Sequence, residues 1–480
     1  MHDSAPVIVW FRQDLRLADN PALSAAARLR VPVLPVYVLD DVSPGEWRMG
    51  AASRWWLHKS LAALDADLRG KLVLLRGNAR ALIPELARQV QAQAVYWNRQ
   101  YEPWAIDRDT GIKQELLHAS CTVRSFNGAL LFDPPSTNKA DGTPYRVFTP
   151  FYRKGCLAGG IRPRRPLARP EGLQLCDYDE ALALSKLGLL PAIDWYQEME
   201  CVWTPGEAGA LERLDRFLSQ GLDNYDEGRD RPDKAFVSRL SPHLHFGELS
   251  PNRAWYAVDD SGTGENLPGN ADRYLNQLGW REFSHNLLYN EPDLPTDNLQ
   301  RKFDRFPWRD DADLLKRWQK GTTGYPIVDA GMRELWRTGY MHNRVRMIVG
   351  SFLVKNLMLH WHHGERWFWD TLVDADLANN SASWQWIAGC GADAAPYFRI
   401  FNPVTQGKKF DPEGVYVRQY VPELGNLPGA LIHEPWTATS AQLHDAGIVL
   451  GDTYPEPIVD LKASRERALA AFRALTPVAK

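Results

Sequence analysis

The chain has 480 residues, of which 44% are hydrophobic and 24% are charged, a composition typical of a globular protein with two or three domains. The formal net charge of −3 excludes a general attraction to nucleic acid, so a nucleic-acid site would have to be a local basic patch. No signal-peptide pattern and no run near the ~18 apolar residues that span a bilayer is found, and the five cysteines are scattered. We therefore expect a cytoplasmic protein with free thiols and no membrane association.

Short β-rich runs alternate with helical patterns over residues 1–132. One helical pattern, 21–30, follows the predicted cap Asn20, and in another, 54–69, leucines recur every three or four residues. Strands that alternate with helices predict a parallel sheet covered on both faces, which is a Rossmann-like α/β domain. The predicted strands are 7–11, 33–39, 72–76, 94–98 and 122–126.

Residues 133–204 are rich in proline, glycine and arginine and are interpreted as a connector between domains. The basic run 162–166 is predicted to be a solvated loop rather than a nucleic-acid arm. Residues 205–480 have helical periodicity, which predicts an all-helical second domain that holds most of the 19 tryptophans. Its predicted helices are 211–218, 271–289, 313–319, 328–336, 344–361, 366–372 and 464–475.

The motifs of several common enzyme classes are missing or weak. The first glycine is Gly45, so no glycine-rich turn follows the first strand, and the only GxGxxA string lies far downstream at 389–394. Neither a Walker loop nor a Gly-x-Ser-x-Gly elbow occurs. His243 and His245 lack the spacing of a zinc helix, so we expect no metal site.

Polar side chains are concentrated among the tryptophans of the second domain. Asn343, Arg346, Asp374 and Asp376 lie in segments that are otherwise apolar. Such groups are costly to bury unless they are paired or bind a polar ligand. Two interpretations stay open on spacing alone: a planar heteroaromatic cofactor, or a structural network of arginine and aspartate.

Six ordered motifs run along the whole chain: WFRQDLR at 10–16, SRLSPHLHFGE at 238–248, WREF at 280–283, GYPIVDA at 324–330, MHNRVRM at 341–347 and DAAPYFRIFNP at 393–403. Through these motifs the sequence resembles the DNA photolyase/cryptochrome family, and most closely its bacterial cyclobutane pyrimidine dimer photolyases. The resemblance implies an N-terminal antenna domain at 1–132 and a helical catalytic domain at 205–480 that binds FAD and DNA.

The resemblance also implies which residues would bind FAD. The phosphates would be held by Tyr225, Ser238, Arg239, Leu240 and Ser241. An ion pair between Arg346 and Asp374 would lie beside the flavin, and Asn380 would face flavin N5. An amide there favours repair over signalling, because it can hydrogen-bond N5 without supplying a proton. The flavin pocket would be completed by Tyr274, Asn343 and Asp376.

For DNA, the resemblance implies Trp280 and Trp386 as stacking walls for a flipped lesion, with Met347 and Gln277 beside it. The phosphate contacts would be Arg229, Arg281, Arg344 and Arg399, with Lys408 extending the patch. Trp384, Trp361 and Trp308 match the family's chain of tryptophans for electron transfer. We expect a monomer that acts on UV-damaged DNA.

The sequence departs from the family pattern at several positions. Val237 stands where threonine is usual, Tyr274 replaces a tryptophan, and Gln277 is reminiscent of (6-4) photolyases. Trp104 and Ala105 stand where folate-binding members have Asn-Glu; methenyltetrahydrofolate is still preferred over a deazaflavin as the antenna chromophore. The predicted activity is light-driven repair of cyclobutane pyrimidine dimers. A blue-light photoreceptor without repair and a (6-4) photolyase are the alternatives.

Overall fold

The structure is a computed structural model that describes residues 5–261, 269–394 and 398–475, so positions 395–397 of the last family motif lie outside it. The chain divides into two compact units. The first unit comprises Met1–Asp223, Ser238–Pro292 and Val373–Ala378, and the second comprises Asn224–Val237, Asp293–Leu372 and Asn379–Lys480. The predicted domain boundaries near residues 132 and 204 stay predictions.

The first unit contains the predicted parallel sheet, whose strands are β1 Val7–Phe11, β2 Val33–Leu39, β3 Val73–Arg76, β4 Ala94–Asn98 and β5 Thr122–Phe126. They lie in the order β3-β2-β1-β4-β5. β1 and β2 are buried along their whole length, as expected for strands covered on both faces. The strand order reverses between β1 and β4, where Val7 pairs with Val33 on one side and with Ala94 on the other.

Helices surround this sheet and continue through the rest of the first unit. Asn20 caps the first helix as predicted, since its side chain accepts a hydrogen bond from the backbone N–H of Leu23 at 3.1 Å. The predicted helix 21–30 ends early, at Ala27. The helices are Pro21–Ala27, Ala51–Asp67, Ala79–Gln89, Pro103–His118, Phe148–Pro150, Gln197–Val202, Glu207–Arg216, Ser241–His245, Pro251–Asp259 and Gly269–Asn290, with π-helical turns at Phe151–Cys156 and Phe217–Gly221.

The described part of the second unit is helical, which confirms the predicted mixed fold with an α/β N-terminal region and a helical C-terminal region. One helix, Leu377–Ala388, begins in the first unit and continues into the second. The other helices are Tyr225–Gly228, Ala312–Lys320, Pro326–Thr338, Asn343–Ser351, Trp361–Thr371, Pro403–Phe410, Val415–Tyr420, Ser440–Ala446 and Leu461–Ala474.

The prediction of one continuous helix over 344–361 is wrong. The first helix ends at Ser351 and is followed by the π-helical turn Phe352–Asn356. Met358 then adopts a left-handed backbone with φ of 59°, and its carbonyl accepts the backbone N–H of Arg309 at 2.8 Å. A new helix begins at Trp361, where the ring of His360 accepts the backbone N–H of His362 at 3.2 Å. The predicted helix at 366–372 is the second half of this one.

Candidate active site

Two of the predicted flavin-binding carboxylates lie together in the first unit. Asp374 and Asp376 are only 8% and 7% exposed, and the hydroxyl of Ser241 donates to Oδ2 of Asp374 at 2.5 Å. Oδ2 of Asp376 lies 3.4 Å from Nδ1 of His245 and 3.4 Å from Nε2 of His285. From the sequence, His245 was only a weak metal candidate, and His285 was not predicted to be a site residue.

The position of His285 in its helix could have indicated that it belongs to the site. Tyr274, Gln277, Arg281 and His285 follow one another at spacings of three and four residues in the Gly269–Asn290 helix, so they share one face. The ring of His285 is held in place at Nδ1, which lies 2.9 Å from the carbonyl oxygen of Arg281.

Electrostatics keep Asp376 ionised. Burial by itself would raise the pKa of Asp376, but the charge of His285 and hydrogen bonds from His245 and His285 outweigh it and hold that pKa well below its usual range. Burial likewise opposes the charge of His285, yet the interaction with Asp376 raises the pKa of His285 above its ordinary value. A buried carboxylate of this kind can accept N–H donors of a polar ring.

The predicted phosphate-binding segment forms a turn. Arg239 has a positive φ of 51°, and the backbone N–H of Leu240 points to the hydroxyl of Ser238 at 3.4 Å. Ser241 then begins the short helix Ser241–His245. Tyr274, from the same unit, is buried. Tyr225, in the second unit, is also buried.

Asn380 is buried and leaves part of its amide for a ligand. Its Nδ2 donates to the carbonyl oxygen of Glu365 at 2.9 Å, and the amide makes no other hydrogen bond within the described residues. The hydroxyl of the neighbouring Ser381 donates to Oε1 of Glu365 at 2.6 Å. The free N–H and the oxygen of Asn380 supply one donor and one acceptor, which suits the alternating acceptors and donors of a flavin ring.

The helix Asn343–Ser351 begins with the predicted cofactor and DNA residues. His342 caps it, since Nδ1 accepts the backbone N–H of Arg344 at 3.2 Å, and Nε2 of His342 lies 3.0 Å from the carbonyl oxygen of Gly228. Asn343 is exposed, and Nε of Arg346 donates to the carbonyl oxygen of Met341 at 2.8 Å. The predicted ion pair between Arg346 and Asp374 joins different units and stays a prediction.

Arg344 is partly exposed and paired within the second unit. Its guanidinium forms an ion pair with Asp230, with Nε 3.1 Å from Oδ1, and packs over the ring of Phe410. Nη1 of Arg344 lies 3.8 Å from the sulfur of Met347, so a cationic and an apolar predicted contact are adjacent. Arg229 is half-buried in the same unit.

In the first unit, the predicted stacking residue Trp280 is covered on one side. Phe148 stacks on it with ring centroids 4.0 Å apart and planes 10° apart. Phe148, which the sequence analysis missed, therefore restricts stacking by a ligand to the other face. Nη1 of Arg281 lies 3.3 Å from Glu282, and the Gln277 side chain is half-buried.

The second predicted stacking residue, Trp386, belongs to the second unit. Its indole N–H donates to the carbonyl oxygen of Asp393 at 3.1 Å. Trp386 lines a small cleft together with Arg399 and Lys355. Lys408 forms an ion pair with Glu434.

The three predicted electron-transfer tryptophans differ in depth. Trp361 and Trp384 are buried, whereas Trp308 is half-buried. The ring of His360 lies between Trp308 and Trp361, with centroid distances of 5.0 and 5.6 Å. Trp384 packs against Gly364, one turn after Trp361 in the same helix. The three rings are thus arranged from the core towards the surface.

Other features of the described residues bear on the remaining predictions. No helix among them is long and apolar enough to cross a membrane. They include no group of three or more histidine, cysteine, aspartate or glutamate side chains suited to a metal ion. His243, a weak metal candidate, instead has Nδ1 2.5 Å from Oε2 of Glu248.

The chain combines a parallel-sheet region with a helical region, and it carries buried carboxylates and an amide of the kind that bind a flavin. These features define a flavoprotein with an α/β region and a helical region. The family model described as DNA photolyase matches residues 7–171, and the model described as the FAD binding domain of DNA photolyase matches residues 274–474. The chain is 49% identical to a deoxyribodipyrimidine photo-lyase of Agrobacterium fabrum, with 98% of each chain covered. It is also 38% identical to cryptochrome-1 of Arabidopsis thaliana, covering 96% of this chain and 69% of that protein.

A crystal structure of a bacterial class III photolyase from Agrobacterium tumefaciens matches with a TM-score of 0.94 and 49% identity, covering 98% of both chains. This chain belongs to the DNA photolyase/cryptochrome family. The family match confirms FAD as the predicted cofactor.

Proposed function

We propose that this protein repairs cyclobutane pyrimidine dimers in DNA by light-driven electron transfer. Reduced FAD, when bound, would supply the electron that opens the dimer and take it back afterwards. The observation that carries the proposal is the buried amide of Asn380, which is fixed by Glu365 and keeps one N–H and its oxygen for a ligand. Full-length similarity to a deoxyribodipyrimidine photo-lyase supports the same activity.

The side chains and backbone of the protein would bind FAD and orient it. Ser238, Arg239, Leu240, Ser241 and Tyr225 would hold the FAD phosphates. Asp374 and Asp376 would accept hydrogen bonds from the cofactor, with Asp376 kept ionised by its two histidines. The rest of the cofactor pocket would be formed by Tyr274, Asn343, Arg346 and Asn380.

The DNA contacts would divide into positioning and lesion recognition. Trp280, Trp386, Met347 and Gln277 would surround a flipped dimer, which needs flat apolar walls and a few donors. Backbone phosphates would be bound by Arg229, Arg281, Arg344 and Arg399. Trp384, Trp361 and Trp308 would carry electrons to an oxidised flavin and would take no part in dimer opening.

One assay tests this function against its alternatives. The reduced protein is illuminated with oligonucleotides that carry either a cyclobutane dimer or a (6-4) photoproduct, and repair is followed by chromatography. We expect repair of the cyclobutane dimer only. Repair of neither lesion would favour a photoreceptor, and repair of the (6-4) product alone would change the substrate. Gln277 favours the (6-4) alternative, but Asn343 and Met347 stand where that group carries a histidine pair.

We infer that the second chromophore is methenyltetrahydrofolate rather than a deazaflavin. In doubly wound sheets, ligands bind where the strand order reverses. Here that edge, at the ends of β1 and β4, is filled by buried side chains: Nδ2 of Asn98 donates to Asp14 at 2.6 Å, and Arg12 binds Asp109 at 2.9 Å. A three-ring deazaflavin would have to displace these contacts. Absorption spectra and chromatography of the cofactors released from purified protein test this.

We also propose that the protein is a monomer. Its five cysteines are free thiols, which supports a reducing compartment. Sedimentation velocity and cell fractionation test these two points.

A further inference from the structure

Lys355 is a buried cation near the predicted DNA contacts of the second unit. It lies in the π-helical turn Phe352–Asn356, and its side chain is 2% exposed. Within the described ranges, which omit 395–397, no carboxylate forms an ion pair with it. Burying an ammonium group without a counter-charge is costly, so its remaining contacts have to compensate.

Those contacts converge on one short segment, residues 398–401. Nζ of Lys355 donates to the carbonyl oxygen of Arg399 at 3.1 Å and lies 3.7 Å from the ring centroid of Phe398, a cation–π distance. One turn earlier, the hydroxyl oxygen of Ser351 accepts the backbone N–H of Phe401 at 3.2 Å. The turn and the end of its helix therefore hold the segment at two points.

The held segment carries Arg399, whose side chain is exposed. Lys355 lines the same cleft as Arg399 and Trp386, which are a proposed phosphate contact and a proposed stacking wall. Lys355 itself is too deeply buried to reach DNA, so any effect on binding has to pass through this segment.

We propose that Lys355 is a positioning residue for DNA binding: its ammonium group holds the 398–401 backbone and so fixes where Arg399 presents its guanidinium to a DNA phosphate. This inference rests on the proposed function, because the position of Arg399 matters only if the chain binds DNA.

The positioning depends on pH. Burial lowers the pKa of Lys355 to about 7, so the ammonium form prevails below that pH and the neutral amine above it. The amine loses the charge-assisted hydrogen bond to the Arg399 carbonyl and the attraction to the ring. DNA affinity should therefore fall as the pH rises through about 7.

The ionisable groups near Lys355 do not cause this fall in DNA affinity near pH 7. Cys390 interacts with Lys355, but burial raises the pKa of Cys390 well above its usual range, so it stays a thiol. Arg467 donates to the carbonyl oxygen of Asn356 at 3.0 Å, and arginine side chains are not deprotonated in proteins. Glu365, on the Trp361–Thr371 helix, accepts the hydroxyl of Ser381.

The test measures the Kd of the FAD-loaded protein for a dimer-containing oligonucleotide between pH 6 and 8.5. Lys355→Met keeps the buried stem and removes the ammonium group. We expect a Kd about tenfold higher than wild type at pH 6, and a log–log salt slope lower by up to about 0.9, the value for one phosphate contact. At pH 8.5 the two proteins should differ by less than about twofold.

Lys302→Met is the matched control. Lys302 packs over Phe303 and Phe472 at 5.5 and 5.6 Å, but it is exposed and makes no hydrogen bond to the 398–401 segment. Its Kd should follow the wild-type pH profile. Ser351→Ala removes the second restraint and should raise Kd at every pH while keeping the step near pH 7.

Three results would overturn the inference: a wild-type pH profile in Lys355→Met, a loss of affinity in that variant that is equal at all pH values, or an unchanged Kd in Ser351→Ala. The flavin spectrum and thermal unfolding show whether Lys355→Met folds. If it does not, the Kd of Ser351→Ala still decides the test. Wild-type protein that binds no dimer-containing DNA would instead overturn the proposed function, and this inference with it.

Discussion

Gly364→Ala tests the packing that places Trp384 beside the helix of Trp361. A Cβ atom at position 364 would lie 2.5 Å from Cζ3 of Trp384 and closer still to two other ring atoms. Trp384 is 2% exposed, with Phe368 at 5.0 Å and Trp318 at 6.3 Å between ring centroids. The ring therefore cannot move away without displacing other buried rings.

The size of the effect follows from two opposing terms. Overpacking a filled core costs roughly 1–3 kcal/mol, and a clash with three atoms of a buried ring places this substitution at about 3 kcal/mol. Replacing glycine by alanine inside a helix returns about 1 kcal/mol. We expect Gly364→Ala to lower the free energy of unfolding by about 2 kcal/mol.

Gly111→Ala is the control, because it is also a glycine inside a helix. The three atoms nearest to the added methyl group would all belong to the guanidinium of Arg80, with Nη2 at 2.7 Å, and that side chain is 55% exposed and can swing away. This variant should gain up to about 1 kcal/mol. Both are measured by urea unfolding followed by circular dichroism, with the rate of flavin photoreduction as a second readout. If Gly364→Ala is as stable as Gly111→Ala and photoreduces at the wild-type rate, Trp384 does not pack as described.

Three further outcomes are expected. Trp384→Phe should block photoreduction of oxidised flavin but leave repair by the chemically reduced protein nearly intact; unchanged photoreduction would exclude this electron route. Arg344→Ala should weaken DNA binding and lower the salt slope by about 0.9, while Asp230→Asn should strengthen binding, and an unaltered slope in Arg344→Ala would remove that residue from the phosphate contacts. Because the pKa of Lys355 is lowered to about 7, the folded state binds fewer protons than the unfolded state above that pH, so wild-type stability should rise with pH from about 7 towards 10. Lys355→Met should lack this rise and be more stable than wild type at pH 6, as urea unfolding at several pH values would report.

The strands could be predicted because each is a short β-rich run between helical patterns, and four of the five have the predicted limits. The break between the two helices near residue 358 could not, because Leu357, Met358 and Leu359 keep an apolar pattern through it. What ends the helix there is tertiary: the 358–359 backbone pairs with Arg309 instead of continuing, and His360 caps the next helix.

The candidate site, like the fold, could be predicted only in part. The family resemblance predicted roles for Ser241, Asp374 and Asp376, but it did not indicate that Ser241 donates to a carboxylate 133 residues away. Nor could the sequence indicate Phe148 on Trp280 or Lys355 on the Arg399 carbonyl, because each acts on a partner that is distant along the chain.

The surplus of tryptophan shows why burial alone does not identify function. Trp10 and Trp97 in the sheet are as buried as Trp361, and they pack edge to face at 5.9 Å, which is an ordinary core contact. An electron path needs more than burial, since charge has to leave the core. Trp361 meets that requirement because His360 connects it to Trp308, whose ring is half-buried. Core tryptophans are therefore distinguished from predicted electron-transfer tryptophans by whether neighbouring rings connect them to the surface. Neither composition nor burial specifies this.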